Sequence, residues 1–415
     1  MKRNSNYLNF LQNVIITFKT KYSLVFIEVA FLLLVFNGCN FQPGKRSNDP
    51  ASFITIDITE FQDNHLIVNE IIKSVKFIPL EFNEECPISS ILKLDFYNDT
   101  IFILSRDGLY LFNTEGKFIC KFGRKGQGPG EYSLPFDFSI DKQNKQVIIY
   151  DSYQNRIQIY DLYGNFLKSV RIGMSWNIEP IENDLFLSYP MNIMGDQPYK
   201  LIVFNENGDT IKTFNNKLTF KLSGTPFLIP QNGAVYKFQD NFHFKQFLSD
   251  TLYVFDSKNL IITPKYVFQG INNLPVMLLG NLEQYEKEAN NYSWLERVVE
   301  TDKYLFIRFN SYGKTESMIY DKNKETLNSV QTDIVDDVQT KRINLSTFFW
   351  PHYELSDDII LRQWPAYTFK QYFNDVVSDK ESMAILTEYS IDSFSQFYQS
   401  VKETDNPIIQ IITLK

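Results

Sequence analysis

Phe122-Gly-Arg-Lys-Gly-Gln-Gly-Pro-Gly-Glu-Tyr132 is a glycine-rich loop, and the residues that follow it decide the fold. Past Ser133-Leu134-Pro135 comes an alternating run from Phe136 to Asp141. Val147-Ile-Ile-Tyr-Asp151, Arg156-Ile-Gln-Ile-Tyr-Asp161 and a turn at Tyr163-Gly164-Asn165 come next. Short β-branched and aromatic runs separated by Gly, Asn and Asp read as strands joined by tight turns. The glycine run lacks the Lys-Ser/Thr ending of a phosphate loop and feeds a strand, so its glycines are read as letting the chain turn tightly between sheets.

The same unit recurs on both sides. Ile101-Phe-Ile-Leu104, Leu109-Tyr-Leu-Phe-Asn113 and Gly116-Lys-Phe118 precede it. Leu185-Phe-Leu-Ser-Tyr189, Leu201-Ile-Val-Phe-Asn205 and Gly208-Asp-Thr-Ile211 follow it. The turn glycines Gly116, Gly164 and Gly208 are 48 and 44 residues apart, a period that indicates propeller blades or a related array. Later units are more degenerate: Thr251–Asp256, then Tyr304–Arg308 with Ser317–Asp321. A sixth unit is split. Asp358–Arg362 and Ile408–Thr413 supply two of its strands, and Val75–Leu80 near the other end of the chain is expected to supply the outer one, closing the ring and removing two free sheet edges. The reading is an all-β protein: a six-bladed β-propeller over residues 52–415, closed by an N-terminal strand, with short helical insertions near the C-terminus. Leu282–Tyr292 and Ser393–Lys402 have helical character.

Phe122 to Phe166 resembles an NHL-type propeller repeat, with its glycine loop, Pro135, Ile149-Tyr-Asp151, Asn155–Asp161 and Gly164. The whole is similar to the six-bladed β-propeller lipoproteins common in Bacteroidota, in which the Gly-Gln-Gly-Pro-Gly-Glu-Tyr loop, a Phe-Ile-Pro-Leu-Glu strand (Phe77–Glu81 here) and a late Asp-Asn-Pro (Asp405–Pro407) recur. That resemblance covers most of residues 70–415. It implies a fold and carries no reaction with it.

The N-terminus has its own logic. Lys2, Arg3, Lys19 and Lys21 precede the apolar run Tyr22–Phe36, which is shorter than the roughly 20 residues of a membrane span. Residues 1–39 fit a secretory signal with a lipobox-like end at Gly38-Cys39, Cys39 being the lipidation candidate. Phe36, Asn37 and Glu28 depart from the usual pattern, and a short membrane anchor or a plain signal peptide stays open. Residues 40–51 read as a tether. The expected location is the cell envelope, lipid-anchored, on the periplasmic or surface face of the outer membrane.

Charge and composition exclude several classes. With 41 Lys and Arg against 49 Asp and Glu, the chain is net acidic at −8, which argues against a nucleic-acid footprint. Three dispersed His and no Cys-x-x-Cys give no metal pattern. Cys86 and Cys120 could pair or stay free. No catalytic motif stands out, no cofactor is implied, and binding is favoured over catalysis.

Loop lengths indicate where binding would occur. In a propeller the connections D–A and B–C lie on one face, and A–B and C–D on the other. The long ones, 123–135, 190–198, 215–232, 270–293 and 364–406, fall on the D–A and B–C face. Long loops are uncommon without a role. Candidate binding residues there are Arg124, Lys125, Gln127, Glu131, Tyr132, Tyr153, Tyr189 and Trp364, with Trp176, Trp294, Trp350 and Tyr367 as further aromatics. Aromatic rings offer apolar area with a polar tip, so the expected partner is a glycan, a peptide or a protein. The alternative is a propeller lyase or hydrolase with an axial carboxylate or metal site.

Overall fold

The computed structural model describes residues 53–61, 71–227, 234–330, 350–356, 358–378, 380, 383 and 394–415. The readings of residues 1–52, including Cys39 and the tether, lie outside the described residues.

Six sheets follow one another in chain order, each of four strands A–D from the axis outward. Blade 1 is Lys93–Tyr97, Thr100–Ser105, Gly108–Asn113 and Phe118–Phe122. Blade 2 is Pro135–Asp141, Gln146–Asp151, Arg156–Asp161 and Phe166–Arg171. Blade 3 is Ser175–Ile181, Leu185–Pro190, Tyr199–Asn205 and Thr210–Asn215. Blade 4 is Val235–Phe238, Asn241–Lys245, Thr251–Asp256 and Ile261–Gln269; blade 5 is Ser293–Glu300, Tyr304–Ser311, Lys314–Asp321 and Thr326–Val330. The protein is a six-bladed β-propeller.

Burial explains why the B strands looked so apolar. Ile101–Leu104 and Val147–Tyr150 are buried at every position, because a blade is sandwiched between two neighbours and both faces of its sheet are covered. Phe102, Leu104, Phe138, Val147 and Ile149 fill one such seam. The D strands are solvated, and Thr210–Asn215 has no buried residue. In the C–D turns Gly116, Gly164 and Gly208 have φ of +80°, +86° and +89°, a region that costs glycine nothing. Asn113, Asp161 and Asn205 hold these turns by accepting from backbone N–H groups two and four residues on.

Blade 6 is the closing blade. Its order is Tyr353–Ser356, Ile359–Trp364, Ile408–Leu414 and, outermost, Ile72–Pro79. The N-terminal strand pairs antiparallel with Ile408–Leu414, as the two unpartnered apolar runs predicted. The innermost strand, Tyr353–Ser356, was not foreseen. Asn406 locks the closure. Its Nδ2 donates to Glu81 O and Cys86 O, both at 2.7 Å, and its Oδ1 accepts from Ile88 N at 2.8 Å. A second addition was also unforeseen: Ile54–Asp57 runs parallel to Tyr266–Gln269 as a fifth strand on blade 4, covering an exposed edge.

Helix α1 (Leu282–Glu288) lies in the predicted insertion, with the Asn281 side chain accepting from Gln284 N at its start. Helices α2 (Ala366–Ser378) and α3 (Phe394–Ser400) come from the B–C connection of blade 6. Their Phe369, Phe373, Phe394 and Phe397 rings surround Phe77 of the closing strand at centroid distances of 5.5–6.0 Å. The insertion thus packs onto the seam where the two ends of the propeller meet. Cys86 is buried and Cys120 exposed, and both are free thiols.

Candidate functional site

The glycine loop is a strap between blades 1 and 2. Glu131 Oε2 accepts from Gly128 N at 2.9 Å. Arg156 Nη2 donates to the carbonyls of Gln127, Gly128 and Glu131. Asp151 accepts from Ser133 N and Leu134 N, at 2.7 and 3.1 Å. Tyr132 is fully buried and donates to Phe122 O at 2.7 Å. Trp364 is likewise buried, its Nε1 donating to Gln410 Oε1 at 2.7 Å. Neither has surface to offer a ligand: aromatic bulk at a loop root was needed to fill a seam. Arg124, Lys125, Gln127 and Tyr153 are exposed, and Lys125 Nζ lies 3.5 Å from Asp107. These predicted residues sit at blades 1 and 2, Tyr189 at blade 3 and Trp364 at blade 6, so they form no single site.

Tyr189 does line a pocket. On the loop-rich face, between blades 3 and 4, a cavity of about 70 Å³ is walled by Trp176, Tyr189, Phe220, Phe227 and Phe247, with Asn192 and Gln246 on its rim. Four loops build it, and side-chain amides tie three of them together. Asn192 Nδ2 donates to Leu218 O, Asn216 Nδ2 to Gln197 O, and Gln246 Nε2 to Asn216 Oδ1, at 2.7–2.9 Å. No charged group lines the pocket. Met194 and Met277, beside the lining residues Ile193 and Val276, are 50% and 68% exposed.

A larger cavity runs along the axis. It has a volume of about 570 Å³ and is lined by the A strands of all six blades. Its lining continues through the A–B turns (Asp141–Gln143, Glu182, Gln239, Asp240) and includes no described residue of the five long loops. The channel therefore opens on the short-turn face, opposite the pocket. Inside it Lys93 Nζ lies 2.9 Å from both Asp137 Oδ1 and Glu179 Oε1, joining blades 1, 2 and 3. Burial raises Glu179 above the ordinary carboxylate range; Lys93 pulls it back and Asp137 adds to the rise. Burial would lower Lys93, but the two carboxylates raise it above the usual lysine range. Sequence reading missed this triad, although Asp137 and Glu179 inside otherwise apolar strands were the signal. Among the described residues no group of three or more His, Cys, Asp or Glu could hold a metal ion, and no helix is long and apolar enough to cross a membrane.

A family model described as Domain of unknown function (DUF4934) matches residues 53–413. The chain belongs to this family. The match takes in all six blades and the closing strand, so the DUF4934 unit here is the complete propeller. The chain is similar to a crystal structure of a candidate exported protein from Bacteroides fragilis NCTC 9343. Identity is 20%, coverage is 88% of this chain and 100% of that one, and the TM-score is 0.67. A member of the duf4221 family from Bacteroides vulgatus atcc 8482 is more distant, at 9% identity over 63% of this chain and 86% of that one, TM-score 0.43. No curated protein matches the chain. At these identities the likeness carries the propeller fold alone.

Proposed function

We propose that this DUF4934 propeller is an envelope-anchored, non-catalytic binding protein that holds a glycan, peptide or protein ligand on its loop-rich face. The observation that carries the reading is the aromatic pocket of Trp176, Tyr189, Phe220, Phe227 and Phe247. Its lining is uncharged, its polar side chains are already engaged in tying loops together, and exposed methionines border it. Such a surface suits an uncharged ring or an apolar side chain. Anchoring through Cys39 belongs to the same proposal. The test is a glycan array and a peptide panel probed with detergent-solubilised full-length protein. Phe227→Ala and Met277→Lys should each weaken the captured ligand by about tenfold, which corresponds to about 1.4 kcal/mol. Binding that both variants leave unchanged would move the site elsewhere.

One observation favours a second reading, an axial hydrolase or lyase: Glu179 is a raised carboxylate beside Asp137 in an open channel. Substrate turnover abolished by Glu179→Gln, with ligand capture at the pocket absent, would select it.

A further inference from the structure

Blade 5 carries two arginines that face each other across its first two strands, Arg297 and Arg308, which are register partners. Both reach the segment Trp350–Tyr353 that leads into blade 6. The Arg308 Cζ stands 5.1 Å from the Trp350 ring centroid and the Arg297 Cζ 5.4 Å from that of Tyr353. Arg297 Nη2 donates to His352 O. From the blade 6 side, His352 N donates to Leu361 O at 2.7 Å, which brings in the neighbouring Arg362, itself 4.0 Å over Trp364. Three guanidinium groups thus converge on one seam.

Each guanidinium lies over an aromatic ring, a contact that attracts its charge without using its N–H donors. Arg297 spends one N–H on His352 O, and the other two arginines have an N–H to spare. The Nε atoms of Arg308 and Arg362 are buried without a hydrogen-bond partner. Among the described residues none of the three arginines forms an ion pair. The facing titratable groups are Glu296, Lys245, His352, Tyr353 and Tyr372. Glu296 projects from a bulge in its strand and keeps an exposed surface, but burial raises its carboxyl, against opposing pulls from Arg308 and Lys245. His352 is held neutral, lowered to about 3 by burial and by the three arginine charges. Burial lowers Arg308 and Arg362; Glu296 opposes the shift at Arg308 and Tyr372 at Arg362, while repulsion from a neighbouring arginine adds to it in each case. Clustered, unpaired and partly buried positive charge is costly unless something neutralises it. All three side chains keep some solvent exposure, and Arg297 lines the axial channel.

We propose that Arg297, Arg308 and Arg362 form an anion site at the seam of blades 5 and 6, taking the carboxylate or phosphate group of a small ligand that enters through the axial channel. The site is separate from the loop-face pocket and stands whether or not that pocket binds anything. A planar guanidinium fork matches a carboxylate or phosphate in a bidentate manner, and the rings beside the arginines hold them in place before the ligand arrives.

The probes are inorganic phosphate and glucuronate. Each is titrated into detergent-solubilised full-length protein at constant ionic strength, with tryptophan fluorescence and melting temperature as readouts. Trp350 and Trp364 sit against two of the arginines, so saturable fluorescence change with a rise in Tm is expected. The tighter of the two probes identifies the class of group. Arg308→Met and Arg362→Met should each weaken binding by about tenfold or more while leaving the ligand-free Tm unchanged or higher. Glu296→Gln, at an exposed position, should tighten binding about twofold to fivefold by removing the competing carboxylate. The proposal is overturned if sodium chloride at matched ionic strength gives the same response. It is also overturned if the arginine variants lose ligand-free stability, which would make the cluster structural, or if Glu296→Gln leaves the affinity unchanged.

Discussion

Blade 5 has a charge cluster on each flank, and the two are built on opposite principles. Toward blade 4, Glu300 is completely buried and fully met by the protein. Lys322 and Lys265 lie 2.6 and 2.9 Å from Oε1, and His243 Nδ1 lies 2.7 Å from Oε2. Tyr266 donates to Oε1 and Tyr236 to Oε2. Burial alone would raise this carboxyl; the hydrogen bond and charge of His243 and the two lysines instead hold it well below the usual range. Toward blade 6, three arginines share a seam with no carboxylate bonded to them. A buried carboxylate met by cations of its own protein is part of the scaffold, whereas arginines with no bonded carboxylate have charge to spare for a ligand.

Lys245 sharpens the contrast. It is buried between blades 4 and 5, where its Nζ donates to Leu295 O. Desolvation lowers it to about 7, against a smaller opposing pull from Glu296. A buried lysine without a bonded carboxylate can shed its proton near neutrality. An arginine cannot, so the blade 5–6 seam remains charged and retains its demand for an anion.

The largest expected effect comes from breaking the self-satisfied cluster. Glu300→Leu leaves Lys265 and Lys322 facing each other in a partly buried site and should cost about 3–5 kcal/mol in chemical denaturation. Because the folded carboxyl is depressed, the native contribution of Glu300 is present above about pH 4.3 and disappears as pH falls through its lower folded value. A loss under 1 kcal/mol would show that the cluster is not holding blades 4 and 5 together.

A smaller effect follows from Lys245. Between about pH 7 and the ordinary lysine value of 10.5 the unfolded chain binds one more proton than the folded one. Stability should therefore rise with pH there, by at most about 1.4 kcal/mol per unit. Lys245→Met should remove that slope and stabilise the protein at neutral pH; an unchanged slope would place its origin elsewhere.

The smallest effect is at the arginines. With no anion present, Arg362→Met keeps an unbranched stem against Trp364 and removes one of three like charges. Its change in ligand-free stability should stay within about 1 kcal/mol, far from that of Glu300→Leu. Equal losses at the two seams would erase the distinction between them.

Most of the ring was legible in sequence because blades repeat: glycine turns at a regular period, apolar B strands, and two unpartnered apolar runs that had to meet. Tyr353–Ser356 was missed because four residues after Pro351-His352 carry no clear alternation. Ile54–Asp57 was missed because its parallel partner is more than 200 residues away and no hairpin turn announces it. The sites were far less readable. Tyr189 was singled out, yet its neighbours Phe220 and Phe227 come from one distant loop and Phe247 from another. Tyr132 and Trp364 looked like surface aromatics because sequence does not tell a loop root from a loop tip. Arg297, Arg308 and Arg362 lie within strands on two blades, and only the closed ring brings them together.

Asn406 ties that ring shut across 320 residues, to a carbonyl beside the first blade. Its reach gives assembly a direction. Blades 1 to 5 can form in turn as the chain emerges, but each intermediate is an arc with an open end. The last seam forms only when residues 406–414 arrive to pair with a strand made long before. Until then the chain lacks its final cooperative lock. Afterwards, pulling on the C-terminal end loads the Ile72–Pro79 and Ile408–Leu414 pair, whereas pulling on the N-terminal side first loads Ile54–Asp57 against blade 4. The two ends of the chain are therefore fastened to different blades, and the asparagine guards only one of the two fastenings.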